Sequence, residues 1–553
     1  MDWIKNKPLI FFVIPFIIYI ALLTFMPLME PDEGRYSAIP SEMNQSGDYI
    51  TPHLKGTVYL EKPPLCYWAT ALSFNIVGKN EFSSRLFTAV CAWGCILLVY
   101  SIGTFFHDSK TGFYAAAVLT TSLYHFVIGR INILDMPLAF FACAAIWMGY
   151  RYFSGAEERK KWIYLFYLFC ALAFLAKGLI GIVFPFAVIV IWLLFSKRWR
   201  DIFRLFSPVG ITIILAVAGP WLVLVQKANK DFLWFFFVQE HFLRYTTTMH
   251  SRSEPVYFFI PIVLAGTMPW CAFLLKAVKD SGIRVASLFD YTEKIFLLTW
   301  AGFIFLFFSI SSSKLIPYIA PVFLPLAVFM GHIFRVHEDQ EKAYDKITPA
   351  KIIYFLPVIL QSLLFVIALF VPSFLKEHGI SFYKWWPWVI VSVLLSIAIM
   401  ILPELVRRKW GRGWFATIYA VSFLFLSLLV FPASQFLTPY KSAYPIANVV
   451  KDYVPAGREL YQYGMSLYGI DFYTGMRTPV VDDIGELRPG VEKLPPEERA
   501  HYFLVSDEFF RLYQEKKDIF CVTERENVEK LRKKVNFLNV LWNNDTYYLL
   551  HLK

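Results

Sequence analysis

Apolar runs of about 16–22 residues recur along this chain, close to the length a helix needs to cross a bilayer. They fall at about 8–28, 86–106, 112–128, 134–153, 162–177, 179–196, 208–226, 256–276, 294–312, 315–334, 351–372, 385–403 and 413–431. The pattern predicts a polytopic α-helical membrane protein with about thirteen transmembrane helices. The connections between the runs differ in charge. Lys5 and Lys7, EERKK at 157–161, SKRWRDIFR at 196–204 and RRKWGR at 407–412 are the most basic. The positive-inside bias assigns these to the cytoplasmic side, together with the N-terminus. An odd number of spans then places the C-terminus outside. The same assignment sends the unusual connections outward: 29–85, GRINILD at 129–135, AKG at 176–178, 227–255 and SSSK at 311–314.

The pattern changes after about residue 436. Alternating and amphipathic segments replace the long apolar runs, separated by turn clusters such as TGMRTP and DDIGELRPG. HYFLVSD at 501–507 and DTYYLLHL at 545–552 read as strands, and PEERA and NVEKLRKKV as helices. The expected organisation is a transmembrane domain over 1–436, with an outer catalytic loop at 29–85, followed by a small soluble α/β domain over 437–553 on the outer face.

Composition agrees with a membrane protein. The chain is 57% hydrophobic and 17% charged, where a soluble protein carries roughly a quarter charged. The net charge of +11 sits in short loops, so it reports topology and does not point to nucleic acid. The seven cysteines are odd in number and lie mostly in apolar runs, which supports neither a disulfide framework nor a CxxC zinc site.

Candidate chemistry concentrates at 29–63, MEPDEGRYSAIPSEMNQSGDYITPHLKGTVYLEKP. Asp32, Glu33, Arg35, Glu42, Asp48, Lys55, Glu61 and Lys62 crowd against the end of an apolar span. Charges cost free energy in hydrocarbon, so such a cluster needs water, partners or a function. Asp32 and Glu33 suit a general base or a cation-binding group; as an alternative they cap a helix. Pro63 and Pro64 stiffen the chain after Lys62, and a rigidly displayed Lys beside a membrane suits a phosphate. Asp135 is a lone acid at the outer end of a span. Lys177 and Lys314 interrupt apolar stretches on the same expected face as Lys62 and Arg85, which suggests an anion site. His241 and Arg244 in EHFLRY share a face at helical spacing. Glu61 with His241 gives two candidate zinc ligands, too few to define a metal site.

The segment 31–64, followed in order by ILDMP, AKGLIGIVFP, GPWLVL to DFLWFFFVQEHFLRY, AGTMPW and SSSKLIPYIAP, resembles the bacterial 4-amino-4-deoxy-L-arabinose lipid A transferases over about residues 8–335. These belong to the GT-C class and are related to protein O-mannosyltransferases. The resemblance implies an inner-membrane enzyme that works on its periplasmic face. Its donor would be a sugar on undecaprenyl phosphate, and its acceptor a phosphate of lipid A. Asp32 takes the place of the acid at the catalytic centre, with Glu33 beside it and Asp135 as a second acid. Lys62 takes the place of a lysine near the donor phosphate, with Arg85, Lys177, Arg244 and Lys314 as further cations. Glu61 and His241 are the metal-linked pair the family suggests. Three other readings stand beside this one. They are the same scaffold acting on a protein or another glycan, a transporter, and a structural assembly protein. The gathering of ionisable groups at one face argues against a transporter, whose binding groups lie near mid-membrane.

Overall fold

A computed structural model describes residues 12–155, 159–243, 254–271, 292–338 and 414–553 apart from positions 517 and 545, with a few positions between 390 and 406. The chain divides into two compact units. The first comprises Met1–Ile20, Phe87–Phe370 and Trp385–Leu429. The second comprises Ala21–Leu86, Val371–Lys384 and Val430–Lys553.

The described residues of the first unit are largely helical. Among the described residues of the chain, five helices are long and apolar enough to cross a membrane: Glu81–Phe106, Pro208–Ala228, Glu293–Ile310, Ile316–Val336 and Phe415–Lys441. Shorter apolar helices include Ile14–Thr24 and Ile180–Phe195. The run expected at 351–372 lies outside the described residues, as does most of 385–403. The run at 112–128 is not one helix. It breaks between Ser109–Thr120 and Leu123–Ile128. There Thr120, Thr121 and Ser122 turn their hydroxyls back onto carbonyls of their own helix, and the backbone N–H of Leu123 donates to Met268. Such local hydroxyl bonds compete with a continuous helix. Gly178, with φ of +106°, separates Arg159–Lys177 from Ile180–Phe195.

The second unit joins the segment around residues 29–85 to the C-terminal residues. Helix Asp32–Ser46 carries two acids in its first turn and ends at Gly47 in the left-handed conformation, both favourable terminal signals. A two-stranded hairpin follows, β1 (His53–Leu54) and β2 (Thr57–Val58), and then the apolar helix Leu65–Val77. This helix falls inside what the hydropathy pattern assigned to a loop.

The C-terminal part holds a six-stranded sheet: β3 (Leu460–Tyr463), β4 (Val480–Val481), β5 (Phe503–Leu504), β6 (Ile519–Glu524), β7 (Leu538–Asn543) and β8 (Tyr547–Leu552). The strand order is β5-β4-β3-β6-β8-β7. The first four strands are parallel, β8 runs antiparallel to β6, and β7 runs antiparallel to β8. Alternate residues serve opposite faces, as strand pleating requires. Cys521 and Leu550 join Phe509 and Leu531 on one side, and Phe520, Val522 and Leu549 join Ile446 and Ile470 on the other. Burial on both faces is what a parallel sheet covered by helices demands. The strand expected at 545–552 and the helices expected at PEERA and NVEKLRKKV are present. HYFLVSD contributes only Phe503–Leu504, because helices Pro496–Tyr502 and Ser506–Lys516 take the flanking residues.

Candidate active site

The two acids at the start of helix Asp32–Ser46 are adjacent in sequence, and on a helix of 3.6 residues per turn they point in different directions. Glu33 points inward and is 1% exposed. Arg85 grips it in a two-pronged pair, Nε to Oε1 at 2.7 Å and Nη2 to Oε2 at 2.7 Å. The rest of the guanidinium donates to the carbonyls of Leu23 (2.9 Å), Met26 and Pro27 (2.9 Å). All five N–H groups of Arg85 are thus committed to protein acceptors.

Asp32 points outward, its side chain 49% exposed. One turn on, Arg35 pairs with it through Nη2. The side chain of Arg35 is 7% exposed. Its Nη1 donates to the Tyr59 hydroxyl at 3.2 Å and pairs with Glu486 Oε2. The Tyr59 oxygen lies 3.1 Å from Glu61 Oε2 and 3.5 Å from Glu486 Oε2. Lys62 donates to the Glu61 carbonyl at 3.1 Å and sits 3.7 Å from its carboxylate. The second unit therefore brings together three residues expected from sequence (Asp32, Glu61 and Lys62) with Arg35, Tyr59 and Glu486, to which the sequence assigned no role.

A second layer holds this loop. Lys55 and Gly56 form the hairpin turn with φ of +53° and +71°, the primed geometry that suits a two-residue hairpin. A lysine is strained there. Glu42 offsets this by accepting both turn N–H groups, at 2.7 and 2.9 Å. The Lys55 ammonium is buried against Asp471 (2.8 Å) and Thr478 Oγ1 (2.8 Å), and Arg477 donates to its carbonyl. Glu30 accepts backbone N–H groups from Tyr468 (3.3 Å) and Gly469 (2.5 Å). A Cβ on Gly34 or Gly469 would lie about 2.5 Å from a Glu30 oxygen, so a side chain at either would push the Glu30 carboxylate from this position. Burial pushes the Glu30 carboxyl up to about 8, against the two backbone bonds that lower it. Burial likewise raises Glu42 and Asp471.

The first unit holds a separate set. Asp135 begins helix Asp135–Phe153 and Lys177 ends helix Arg159–Lys177. These helices pack together, and the Lys177 ammonium meets Asp135 Oδ1 at 2.5 Å. Each charge also complements the dipole of its own helix end. The ammonium lies 4.8 Å from the centre of the Tyr318 ring, a cation–π contact with no sequence signal beyond its place in SSSKLIPYIAP. Lys314 is 5% exposed and donates to the carbonyls of Glu254 (2.8 Å) and Ser311 (2.7 Å). The side chain of His241, and all of Arg244, lie outside the described residues. Among the described residues, no group of three or more His, Cys, Asp or Glu is arranged to hold a metal. Glu61, one of the two candidate metal ligands, is engaged with Tyr59 and Lys62.

This geometry can be set beside known proteins. Residues 61–224 match the family model described as dolichyl-phosphate-mannose-protein mannosyltransferase. An undecaprenyl phosphate-alpha-4-amino-4-deoxy-L-arabinose arabinosyl transferase of Proteus mirabilis is 32% identical over 340 residues, 61% of each chain. Its counterpart in Aeromonas hydrophila is 31% identical over 331 residues, 59% of this chain and 60% of that one. The match thus spans about three fifths of these relatives. The crystal structure of ArnT from Cupriavidus metallidurans bound to undecaprenyl phosphate superposes with a TM-score of 0.85. It is 24% identical, covering 99% of this chain and 98% of that one. The chain shares its fold. An archaeal oligosaccharyltransferase tethered to an acceptor peptide is more distant, with a TM-score of 0.52 and 13% identity. The resemblance to aminoarabinose transferases read from the motifs is therefore present in sequence and in fold.

Proposed function

We propose that the protein is a glycosyltransferase that moves 4-amino-4-deoxy-L-arabinose from undecaprenyl phosphate to a phosphate of lipid A. The observation that carries this reading is the cluster of half-exposed Asp32 with Arg35, Tyr59, Glu61 and Lys62 on the fold of a protein crystallised with undecaprenyl phosphate. In transfer, the bond between the anomeric carbon and the donor phosphate oxygen breaks. A lipid A phosphate oxygen forms the new bond to that carbon, and undecaprenyl phosphate leaves with the electron pair. Negative charge builds on the leaving phosphate, and Lys62 stabilises it. The acceptor phosphate is already anionic, so it needs little help from a base. Asp32 instead positions the sugar and offsets positive charge developing on it. Within the first unit, the Asp135–Lys177 pair offers a further acid and cation. Arg85 and Glu33 act together as a brace beneath the loop.

The protein sits in the bacterial inner membrane with about thirteen spans and a cytoplasmic N-terminus. The loop 29–85 and residues 437–553 lie on the periplasmic side. The lipid tails of donor and acceptor enter from the bilayer.

The match to a protein mannosyltransferase model supports a second reading, transfer from a polyprenyl-phosphate sugar to a protein or another glycan. Mass spectrometry of lipid A separates the two. Cells that make the donor but lack this protein are complemented with wild type or with Asp32→Asn. The expected result is a pentosamine-sized addition that returns with wild type and stays absent with the variant. Unmodified lipid A in the wild-type complement would sink the lipid A reading.

A further inference from the structure

We infer that the connection at 196–207 binds the headgroup of an anionic phospholipid. The inference goes beyond the transfer reaction and needs only a membrane-spanning chain. The connection joins helix Ile180–Phe195 to helix Pro208–Ala228 within the first unit. Charge bias assigns it to the cytoplasmic side. It folds as the 3-10 turn Trp199–Asp201 followed by helix Ile202–Leu205. Trp199, Phe203 and Phe206 recur at spacings of four and three, the pattern of one helical face. They are 55%, 73% and 59% exposed. The apolar surface continues into Leu194, Phe195 and Val209, exposed residues at the adjoining ends of the two flanking helices. Helix Pro208–Ala228 is long and apolar enough to cross a membrane, so the surface continuous with it is covered by lipid.

The cations interleave with this aromatic surface. Lys197, Arg198, Arg200 and Arg204 stand against a single acid, Asp201. Both oxygens of Asp201 are taken, one by Arg198 Nε at 2.8 Å and the other by Arg204 Nη1 at 2.9 Å. Lys197 and Arg200 are exposed, and among the described residues no acid pairs with either. The Arg200 guanidinium lies 5.2 Å from the centre of the Trp199 ring. A tryptophan at the membrane interface sits at headgroup depth, so this contact sets a guanidinium level with lipid phosphates. The opposite side of the connection is pinned to the bundle. The Tyr167 hydroxyl donates to the Leu205 carbonyl at 2.6 Å and accepts from the Ser207 N–H at 3.1 Å. Leu205 is fully buried, and Arg198 donates to the Phe153 carbonyl at 3.1 Å. The fold thus fixes one side and turns the aromatic and cationic side outward, the amphipathic layout of a segment that rests in a leaflet. A phosphodiester with net negative charge meets Lys197 and Arg200 while its acyl chains lie along Phe203 and the flanking helices. A zwitterionic headgroup brings its own ammonium and loses most of that attraction.

Native mass spectrometry of the full-length protein in detergent tests this, with phosphatidylglycerol and phosphatidylcholine of identical chains as probes. Wild type is expected to hold phosphatidylglycerol about ten-fold more tightly, with a preference that shrinks as salt rises. Lys197→Gln combined with Arg200→Gln should abolish the preference and leave the melting temperature unchanged, since neither side chain pairs with a described acid. Trp199→Ala combined with Phe203→Ala should weaken both lipids about equally, because the rings meet chains and not charge. Equal affinity for the two lipids in wild type, or a preference that ignores salt, would overturn the proposal. So would an unchanged preference in the Lys197 and Arg200 variant with wild-type melting behaviour. A mass corresponding to two copies of the chain, with no lipid retained and lost in the Trp199 and Phe203 variant, would assign the surface to self-association instead.

Discussion

Asp32 and Glu33 are neighbours with the same chemistry, and the fold gives them opposite environments. Glu33 lies in a closed brace where every N–H of its partner Arg85 is spent on protein acceptors. Asp32 is itself half exposed and shares Arg35 with Glu486. The brace buries its charges and satisfies them completely, as a stable interior requires. The cluster leaves the Asp32 carboxylate accessible, which a structural role does not need. The difference separates residues that hold the loop from residues available to a substrate, and each side of it can be broken experimentally.

The largest effect is expected on the closed side. Glu33→Ala leaves the Arg85 guanidinium buried without its counter-charge and should cost about 3–5 kcal/mol of stability. Thermal unfolding in detergent measures this, and a stable variant would show that the brace is dispensable. On the open side, Asp32→Asn should leave the melting temperature nearly unchanged while lowering transfer by on the order of 100-fold. A folded variant with wild-type turnover would end the catalytic assignment of Asp32. Lys62→Ala should lower the rate of donor use by about 10- to 100-fold, again with the fold retained. Unchanged donor affinity and rate would remove its phosphate role.

A pH experiment sharpens the contrast further. Burial raises the folded carboxyl of Glu30 from 4.5 to about 8. Between those values the folded state holds more protons than the unfolded one. This contribution to stability is therefore full below about 4.5 and is lost as pH rises through about 8. Glu30→Gln should flatten stability against pH in that window. Glu42 and Asp471 keep a residual slope of the same sign, since burial raises both. An unaltered profile would mean that Glu30 is solvated. The smallest effect concerns the packing beneath Tyr59. Gly490→Ala forces a methyl against the Val58 carbonyl and should cost about 1–3 kcal/mol, read from the melting curve.

Much of the candidate site was legible because charge beside hydrocarbon is conspicuous. Asp32, Glu61, Lys62, Asp135 and Lys177 all stand out against apolar neighbours, and the fold pairs the last two directly. Arg85 stood out for the same reason and was expected to bind phosphate, yet its donors are all taken by protein groups. Conspicuous charge marks a residue that needs a partner, and it does not say whether that partner is protein or ligand. Glu486 was invisible, since an acid in a polar turn of a soluble segment costs nothing by itself. Helix Leu65–Val77 escaped notice because, at 13 residues, it is too short to register as a span. The strand read in HYFLVSD shrank to Phe503–Leu504 because helices Pro496–Tyr502 and Ser506–Lys516 take the residues on either side.

By itself, the sequence determined the recurrent apolar runs of the first 436 residues, the switch to alternating and amphipathic segments beyond them, and the crowding of charge at 29–63. These are local properties, set by hydropathy period and by the cost of charge in an apolar setting. Only the tertiary structure decided that residues 21–86 form one compact unit with 430–553. It also decided that Glu33 is buried while Asp32 is open, and that Glu486 meets Arg35. Those outcomes depend on contacts between segments hundreds of residues apart, and Coulomb and hydrogen-bond energies act through space, with no regard to order along the chain.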